Sequence, residues 1–163
     1  MSTNEIIVST NDNDISVIVE DDNLDITFEY IGVPGPTGPQ GEKFPNASIE
    51  FILDGAGQVV QTGVVGDLII PFACIITGWT LIADQVGSIV VDIWKTSYTD
   101  YPPTISNSIT GTGKPSLVMT DKAQSNDLSG WTPNISLGDI IRYNIVSSSL
   151  CKRITLGLQV TRL

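Results

Sequence analysis

The sequence predicts an all-β chain in three parts. Residues 1–31 form short β-strands assembled in a trimer, residues 32–43 a short collagen-like triple helix, and residues 44–163 a β-sandwich knob of jelly-roll type. Three observations carry this. Glycine stands at every third position from Gly32 to Lys43, short runs of alternating apolar and polar residues flank that stretch, and no amphipathic helix longer than a turn or two can be traced.

In residues 1–31 a faint repeat recurs. Glu5-Ile6-Ile7-Val8, Asp14-Ile15-Ser16-Val17 and Asp25-Ile26-Thr27-Phe28 each read acid, Ile, any residue, apolar. Asn/Asp-rich turn clusters separate them, from Asn11 to Asn13 and from Asp21 to Asn23. Leu24, Ile26, Phe28 and Tyr30 then alternate strictly with Asp25, Thr27 and Glu29. Strands with one apolar face are too few here to close a core in one chain, but three copies could bury those faces about an axis. A flexible acidic tail is the alternative, and the density of β-branched residues weighs against it.

The next stretch reads Gly32-Val33-Pro34, Gly35-Pro36-Thr37, Gly38-Pro39-Gln40, Gly41-Glu42-Lys43. Three polyproline-II strands wound about one axis leave no room there for a Cβ, so every third residue must be glycine. Pro34, Pro36 and Pro39 hold non-axial positions, where their fixed φ suits the extended helix. A single chain gains nothing from this pattern, because polyproline II has no internal hydrogen bonds. A homotrimer is therefore expected. The competing reading is a Pro/Gly-rich linker in register by chance. At about 3.1 Å per residue the segment spans roughly 37 Å, a neck that other parts must hold in register.

After the neck the signals are those of strands. Ile49 to Leu53 leads into the turn Asp54-Gly55-Ala56-Gly57, and Leu68-Ile69-Ile70 ends at Pro71. Cys74 to Asp84 and Ser88 to Lys95 read as a hairpin joined near Gln85-Val86-Gly87. Trp79, Leu81 and Ala83 share one parity on it, as do Ile89, Val91 and Ile93. Leu117 to Met119 is a weaker strand. A second hairpin pairs Asp139 to Val146 with Arg153 to Thr161 across Ser147-Ser148-Ser149. Several short strands with turn signals at this spacing point to a sandwich.

Composition narrows the function. The chain has 163 residues, 41% of them hydrophobic, enough for a core. Its net charge of −10 is uneven: residues 1–31 hold eight acids and no base, while the other ten acids nearly balance the eight Lys and Arg. A nucleic-acid-binding surface is not expected from such a balance. The acidic segment suits a basic docking surface on a partner, and serves solubility equally well. The polar, acidic N-terminus has no basic region ahead of an apolar stretch, so no signal peptide is expected. The longest uncharged run, Leu68 to Ala83, is too short for a membrane span. Cys74 and Cys151 sit in apolar contexts and are expected as buried free thiols.

Catalytic chemistry finds little purchase. The chain has no histidine, which removes the commonest general base and metal ligand. Asp84, Asp92, Asp100, Asp121, Asp127 and Asp139 each sit beside a turn, where Asp is ordinary. An enzyme is not expected, and neither is a cofactor. Asp12-Asn13-Asp14 and Glu20-Asp21-Asp22 are oxygen-rich but do not continue into an EF-hand loop, so the sequence leaves calcium open without assigning a site.

The candidate ligand-binding residues are Trp94, Tyr98, Asp100, Tyr101 and Asn107. Trp94 shares parity with Asp92, opposite the expected core face, and leads into the polar stretch from Lys95 to Pro115. Flat aromatic faces beside carboxylate and carbonyl acceptors are what a saccharide requires. The structural alternative puts Trp94 at a subunit interface and has Tyr98 and Tyr101 brace the loop. Trp79 and Trp131 are expected in the core. Arg142, inside an apolar strand, is expected to face solvent or a neighbouring subunit's carboxylate.

N-terminal strands, a short collagen-like neck and a β-sandwich together resemble the small trimeric fibre and spike proteins, of head-fibre or tail-fibre type, of tailed bacteriophages. The block Gly78-Trp79-Thr80-Leu81-Ile82-Ala83-Asp84, running into Gly87-Ser88-Ile89-Val90-Val91-Asp92-Ile93-Trp94-Lys95, looks like a pattern of their head domains. So do Trp131-Thr132 and Gly138-Asp139-Ile140-Ile141-Arg142-Tyr143-Asn144. Complement-type collagen-plus-jelly-roll trimers are similar in architecture alone, and the short neck counts against them. The resemblance implies a virion surface protein, its residues 1–31 on a capsid or tail protein and its knob outward. Adhesion to a host-surface glycan is then the expected role, with purely structural capsid decoration as the alternative.

Overall fold

Alternating apolar residues in the C-terminal part place one face of each strand in a core, and the strands pair antiparallel throughout. The computed structural model describes residues 8–11, 14–17 and 45–163. The expected neck, with Gly32, Gly35, Gly38 and Gly41, and the expected strand from Asp25 to Phe28 lie outside the described residues. The chain divides into two units, Met1–Gly41 and Glu42–Leu163. In the first, β1 (Val8–Asn11) pairs antiparallel with β2 (Asp14–Val17), Val8 opposite Val17 and Asn11 opposite Asp14.

The second unit contains β3 (Asn46–Asp54), β4 (Gly63–Ile69), β5 (Cys74–Thr96), a single 3-10 turn at Ile105–Asn107, β6 (Ser116–Ser125), β7 (Asn134–Ile135), β8 (Ile140–Ser149) and β9 (Arg153–Arg162). The long strand β5 organises them. Its first half, Cys74 to Ala83, pairs with β9, and its second half, Ser88 to Thr96, pairs with β8. Along its other edge runs β6, which follows both halves, and β7 pairs with its start. Outside β9 lies β3, and outside β8 lies β4. The result is two arms, β3-β9-β5 and β4-β8-β5, that share one strand.

The arms curl over one another. Phe51 on β3 and Tyr143 on β8 belong to different arms, yet their rings stack with centroids 4.0 Å apart and an interplanar angle of 11°. Such pairs add about 0.5–1.5 kcal/mol beyond the area they bury. Ile49, Leu81, Leu156 and Leu158 from one arm and Ile89, Val91, Ile93, Ile141 and Ile145 from the other fill the space between. Trp79 and Trp131 lie in this core, as their sequence context implied. Cys74 and Cys151 are buried and free, and burial pushes both thiols above their ordinary range.

Two expectations about connectivity are corrected. Residues 85–87 are not a hairpin turn, because β5 continues unbroken through them. There β6 loses step with it: the four residues Ala83 to Val86 lie opposite the single residue Asp121, and this excess bends the strand from one arm into the other. Likewise β8 and β9 do not pair with each other. They meet at Leu150-Cys151-Lys152 and then diverge onto separate halves of β5, with Ser147, Ser148 and Ser149 still inside β8 opposite Val90, Ile89 and Ser88. The turn chemistry at Asp84 and Gly87 serves this corner. Asp84 Oδ1 accepts the backbone N–H groups of Lys152 and Arg153, both at 3.0 Å. Gly87 is required because a Cβ there would lie 2.6 Å from Cys151 Sγ and from the Ser149 carbonyl oxygen. A further bulge near Thr77 shifts the inward parity from Cys74 and Ile76 to Trp79 and Leu81.

Tyr143 carries the one core hydroxyl in this stack, and that hydroxyl has no hydrogen-bond partner. Burial first, and then the charge of Glu50, push its pKa well above the usual phenol range. Tyr143→Phe keeps the stacked ring and removes an unsatisfied polar atom. Its stability in urea denaturation is expected to equal or exceed that of the parent by up to about 1 kcal/mol. A loss of more than about 1 kcal/mol would show that the hydroxyl is bonded after all.

Candidate functional site

The loop from Ser97 to Pro115 covers the outer face of the β4-β8-β5 arm, and backbone pairing fixes where it returns. Ile109 N–H donates to the Ile93 carbonyl at 2.8 Å and Val91 N–H to the Pro115 carbonyl at 2.9 Å, with Trp94 opposite Ser108 in a β-bridge. The return leg therefore extends the sheet beside β5 and sets Ser108 and Thr110 over the outward residues Asp92 and Trp94.

Asp92 is 2% exposed. Its Oδ1 accepts the hydroxyls of Ser108 at 2.6 Å and Thr110 at 2.7 Å, and Lys114 Nζ lies 3.4 Å from Oδ2. Burial alone would raise this carboxyl, but the hydroxyls, helped by the neighbouring Trp94 and the Lys114 charge, hold it below its ordinary pKa. Beside it Trp94 is 9% exposed, with its indole N–H buried and lacking a hydrogen bond of normal geometry.

A second cluster ties down the outgoing leg. Arg142 on β8 holds Asp67 on β4 through two parallel bonds, Nε to Oδ1 at 2.6 Å and Nη2 to Oδ2 at 2.7 Å. The Tyr101 hydroxyl donates to Asp67 Oδ2 at 2.9 Å, and Arg142 Nη1 donates to the Pro103 carbonyl at 3.2 Å. The guanidinium carbon also sits 5.3 Å from the Tyr101 ring centre, within cation–π range. Arg142 was expected to face solvent or another subunit; it instead pairs with a carboxylate of its own chain, which the strand order brings alongside.

The five sequence-named residues thus separate into distinct settings. Trp94 lies under the loop and offers no open ring face. Tyr98 is 80% exposed and Tyr101 is half-exposed with its hydroxyl engaged. Asp100 accepts the Ser97 hydroxyl at 2.8 Å, and Asn107 Oδ1 accepts the Thr104 N–H at 2.9 Å, closing the 3-10 turn. An accessible contact surface here rests on Tyr98 and Tyr101. Among the remaining acids, Asp84 receives backbone N–H groups, Asp127 receives Ser129, and Asp139 receives the Ser136 N–H and lies 3.2 Å from Lys95 Nζ. They are dispersed over the unit, and among the described residues no three acids or cysteines gather as a metal site would need.

One surface had no part in the sequence reading. On the outer face of the β3-β9-β5 arm, Ser48, Glu50, Thr80, Ile82, Thr155, Gly157 and Gln159 line an open depression of about 300 Å³. The sequence held one signal for it, an isolated glycine inside the apolar strand Ile154 to Val160. Comparison of the chain with protein families, with curated proteins and with solved structures finds no match.

The Asp67–Arg142–Tyr101 cluster should make the loop sensitive to acid. The hydrogen bond from Arg142, chiefly, holds the Asp67 carboxyl below its ordinary 3.8. A depressed carboxyl contributes stability that is complete above the unfolded value and is lost as pH falls through the folded one. Cleavage by an acid-active protease within residues 97–107 is expected to rise as pH drops below about 4. Asp67→Asn should show the same raised cleavage by a neutral protease at neutral pH, with the core still folded by circular dichroism. Equal resistance of variant and parent at neutral pH would show that the cluster does not hold the loop.

Proposed function

We propose that the chain is a non-enzymatic, homotrimeric surface fibre of a tailed-phage virion. Residues 1–31 anchor it to a capsid or tail protein, the neck spaces it, and an adhesive knob faces outward. The observation that carries this reading is the strict glycine register at Gly32, Gly35, Gly38 and Gly41, a pattern with a physical purpose only when three chains share an axis. It separates an acidic segment from an all-β knob, and the division of the chain near Gly41 supports the same partition. We read the knob as a jelly roll. The strand orders β3-β9-β5-β6 and β4-β8-β5-β6, with β5 and β6 both passing from one arm to the other, support that assignment.

Adhesion to a host-surface glycan would use Tyr98 and Tyr101 on a rigid scaffold, with weak single contacts multiplied by the copies on a particle. Structural decoration without a receptor is the second reading. It is favoured by two observations: Trp94 is covered, and the Tyr101 hydroxyl is already bonded to Asp67. One variant tests the anchor and another separates the readings. Deleting residues 1–31 is expected to abolish attachment to virions, and truncated protein that still coats particles would place the anchor in the knob. Tyr98→Ala with Tyr101→Ala is expected to lower knob binding to host cells several-fold with the fold retained. Unchanged cell binding by that folded double variant would favour decoration.

A further inference from the structure

The depression on the β3-β9-β5 arm has a floor that folding does not explain. Gly157 sits in the central strand of the arm, between the core residues Leu156 and Leu158, with Glu50 paired to it on one side and Thr80 on the other. Glycine weakens a strand interior, so its place there needs a reason. Gly87 has one in the Ser149 backbone, and a Cβ at Gly78 would meet the Ser125 carbonyl at 3.1 Å as well as two side-chain oxygens. At Gly157 a Cβ would meet only the Glu50 carboxylate, with both oxygens at 2.8 Å, the free end of a flexible side chain. What the missing side chain provides is room for the Glu50 carboxylate to lie over the strand, at the floor of the depression.

The walls of that space are polar and already oriented. Ser48 Oγ donates to the Glu50 carboxylate, and Gln159 Nε2 donates to Thr80 Oγ1 at 2.9 Å. Thr155 adds another hydroxyl, and the half-exposed Ile82 forms an apolar flank. Among the described residues no Lys or Arg pairs with Glu50, whose side chain lines the depression. A carboxylate that can accept two neighbouring hydroxyls, hydroxyls and an amide that can donate or accept, and an aliphatic wall for C–H groups match one ligand chemistry. We infer that this depression binds a single sugar ring through vicinal hydroxyls on Glu50, with Thr80, Thr155 and Gln159 completing the contacts. Its volume of about 300 Å³ lies at the lower end of small-molecule sites, which suits one ring better than an extended chain. With only one carboxylate, the set is too poor in charge for calcium.

The site needs only the folded knob. It would hold in a monomer, and its failure would leave the trimeric fibre untouched. The test uses full-length protein and saturation-transfer NMR with the methyl glycosides of glucose, galactose and N-acetylglucosamine as probes. At least one is expected to receive saturation, and to keep it after chelation with EDTA. Gly157→Val, which fills the floor with a residue that strands favour, and Glu50→Gln are each expected to weaken binding of that glycoside at least tenfold. Ile105→Ala, an exposed change in the loop over the other arm, should leave it unchanged. Circular dichroism and melting confirm that each variant is folded. Should Gly157→Val fail to fold, Glu50→Gln, which replaces one exposed side chain with a near-isostere, carries the test. Saturation of none of the probes, undiminished binding in folded Glu50→Gln, loss in the Ile105 variant, or dependence on a metal would each overturn the assignment.

Discussion

The corner of β5 is the constraint on which the rest of the knob depends. One strand belongs to both arms, and its edge must change partner from β9 to β8 within a few residues. Asp84 makes that change definite. By accepting the N–H groups of Lys152 and Arg153 it fixes the point where β8 and β9 part, and the backbone bonds from Gly55 N–H to the Lys152 carbonyl and from Val60 N–H to the Cys151 carbonyl lock β3 and its following loop to the same point. Those backbone donors hold the Asp84 carboxyl below its ordinary pKa. Once the corner is set, the alternation along each strand decides which residues face inward, and Phe51 meets Tyr143.

The same geometry explains the two outer faces. A curled sheet has one interior and two exteriors, and each arm puts its polar parity outward. On the β4-β8-β5 arm the long loop takes up that polarity: Asp92, Asp67 and Arg142 are held by partners within the chain, and the rings that remain open are few. Among the described residues the β3-β9-β5 arm has no such cover, and Ser48, Glu50, Thr80 and Gln159 line an open depression over Gly157. Candidate recognition chemistry is thus divided between a braced loop and an uncovered sheet.

Much of the fold was legible in the residues themselves. Strand parity at Leu81, Ile89, Val91 and Ile93, the strand end before Pro71, and the burial of Trp79 and Trp131 all follow from local alternation. What local pattern could not supply was pairing across distance. Asp84 and Gly87 carry the residue types of a tight turn, yet their partners lie at Ser149 to Arg153, so a bend was read as a hairpin. Arg142 finds Asp67 across 75 positions, which no spacing rule reveals. The depression escaped notice for the same reason. Ser48, Thr80 and Gln159 come together only after three separated strands lie side by side, and the isolated Gly157 was its one local trace.

The knob closes its core within one chain: the strands that bury Leu81, Leu156 and Tyr143 all come from residues 46–162. The feature that calls for further copies is the glycine register of residues 32–43, and the fibre reading stands or falls with it. Sedimentation equilibrium of the full-length chain at micromolar concentration measures this directly. The account expects a single species of three times the 17.5 kDa chain mass, and a stable monomer or dimer would contradict it.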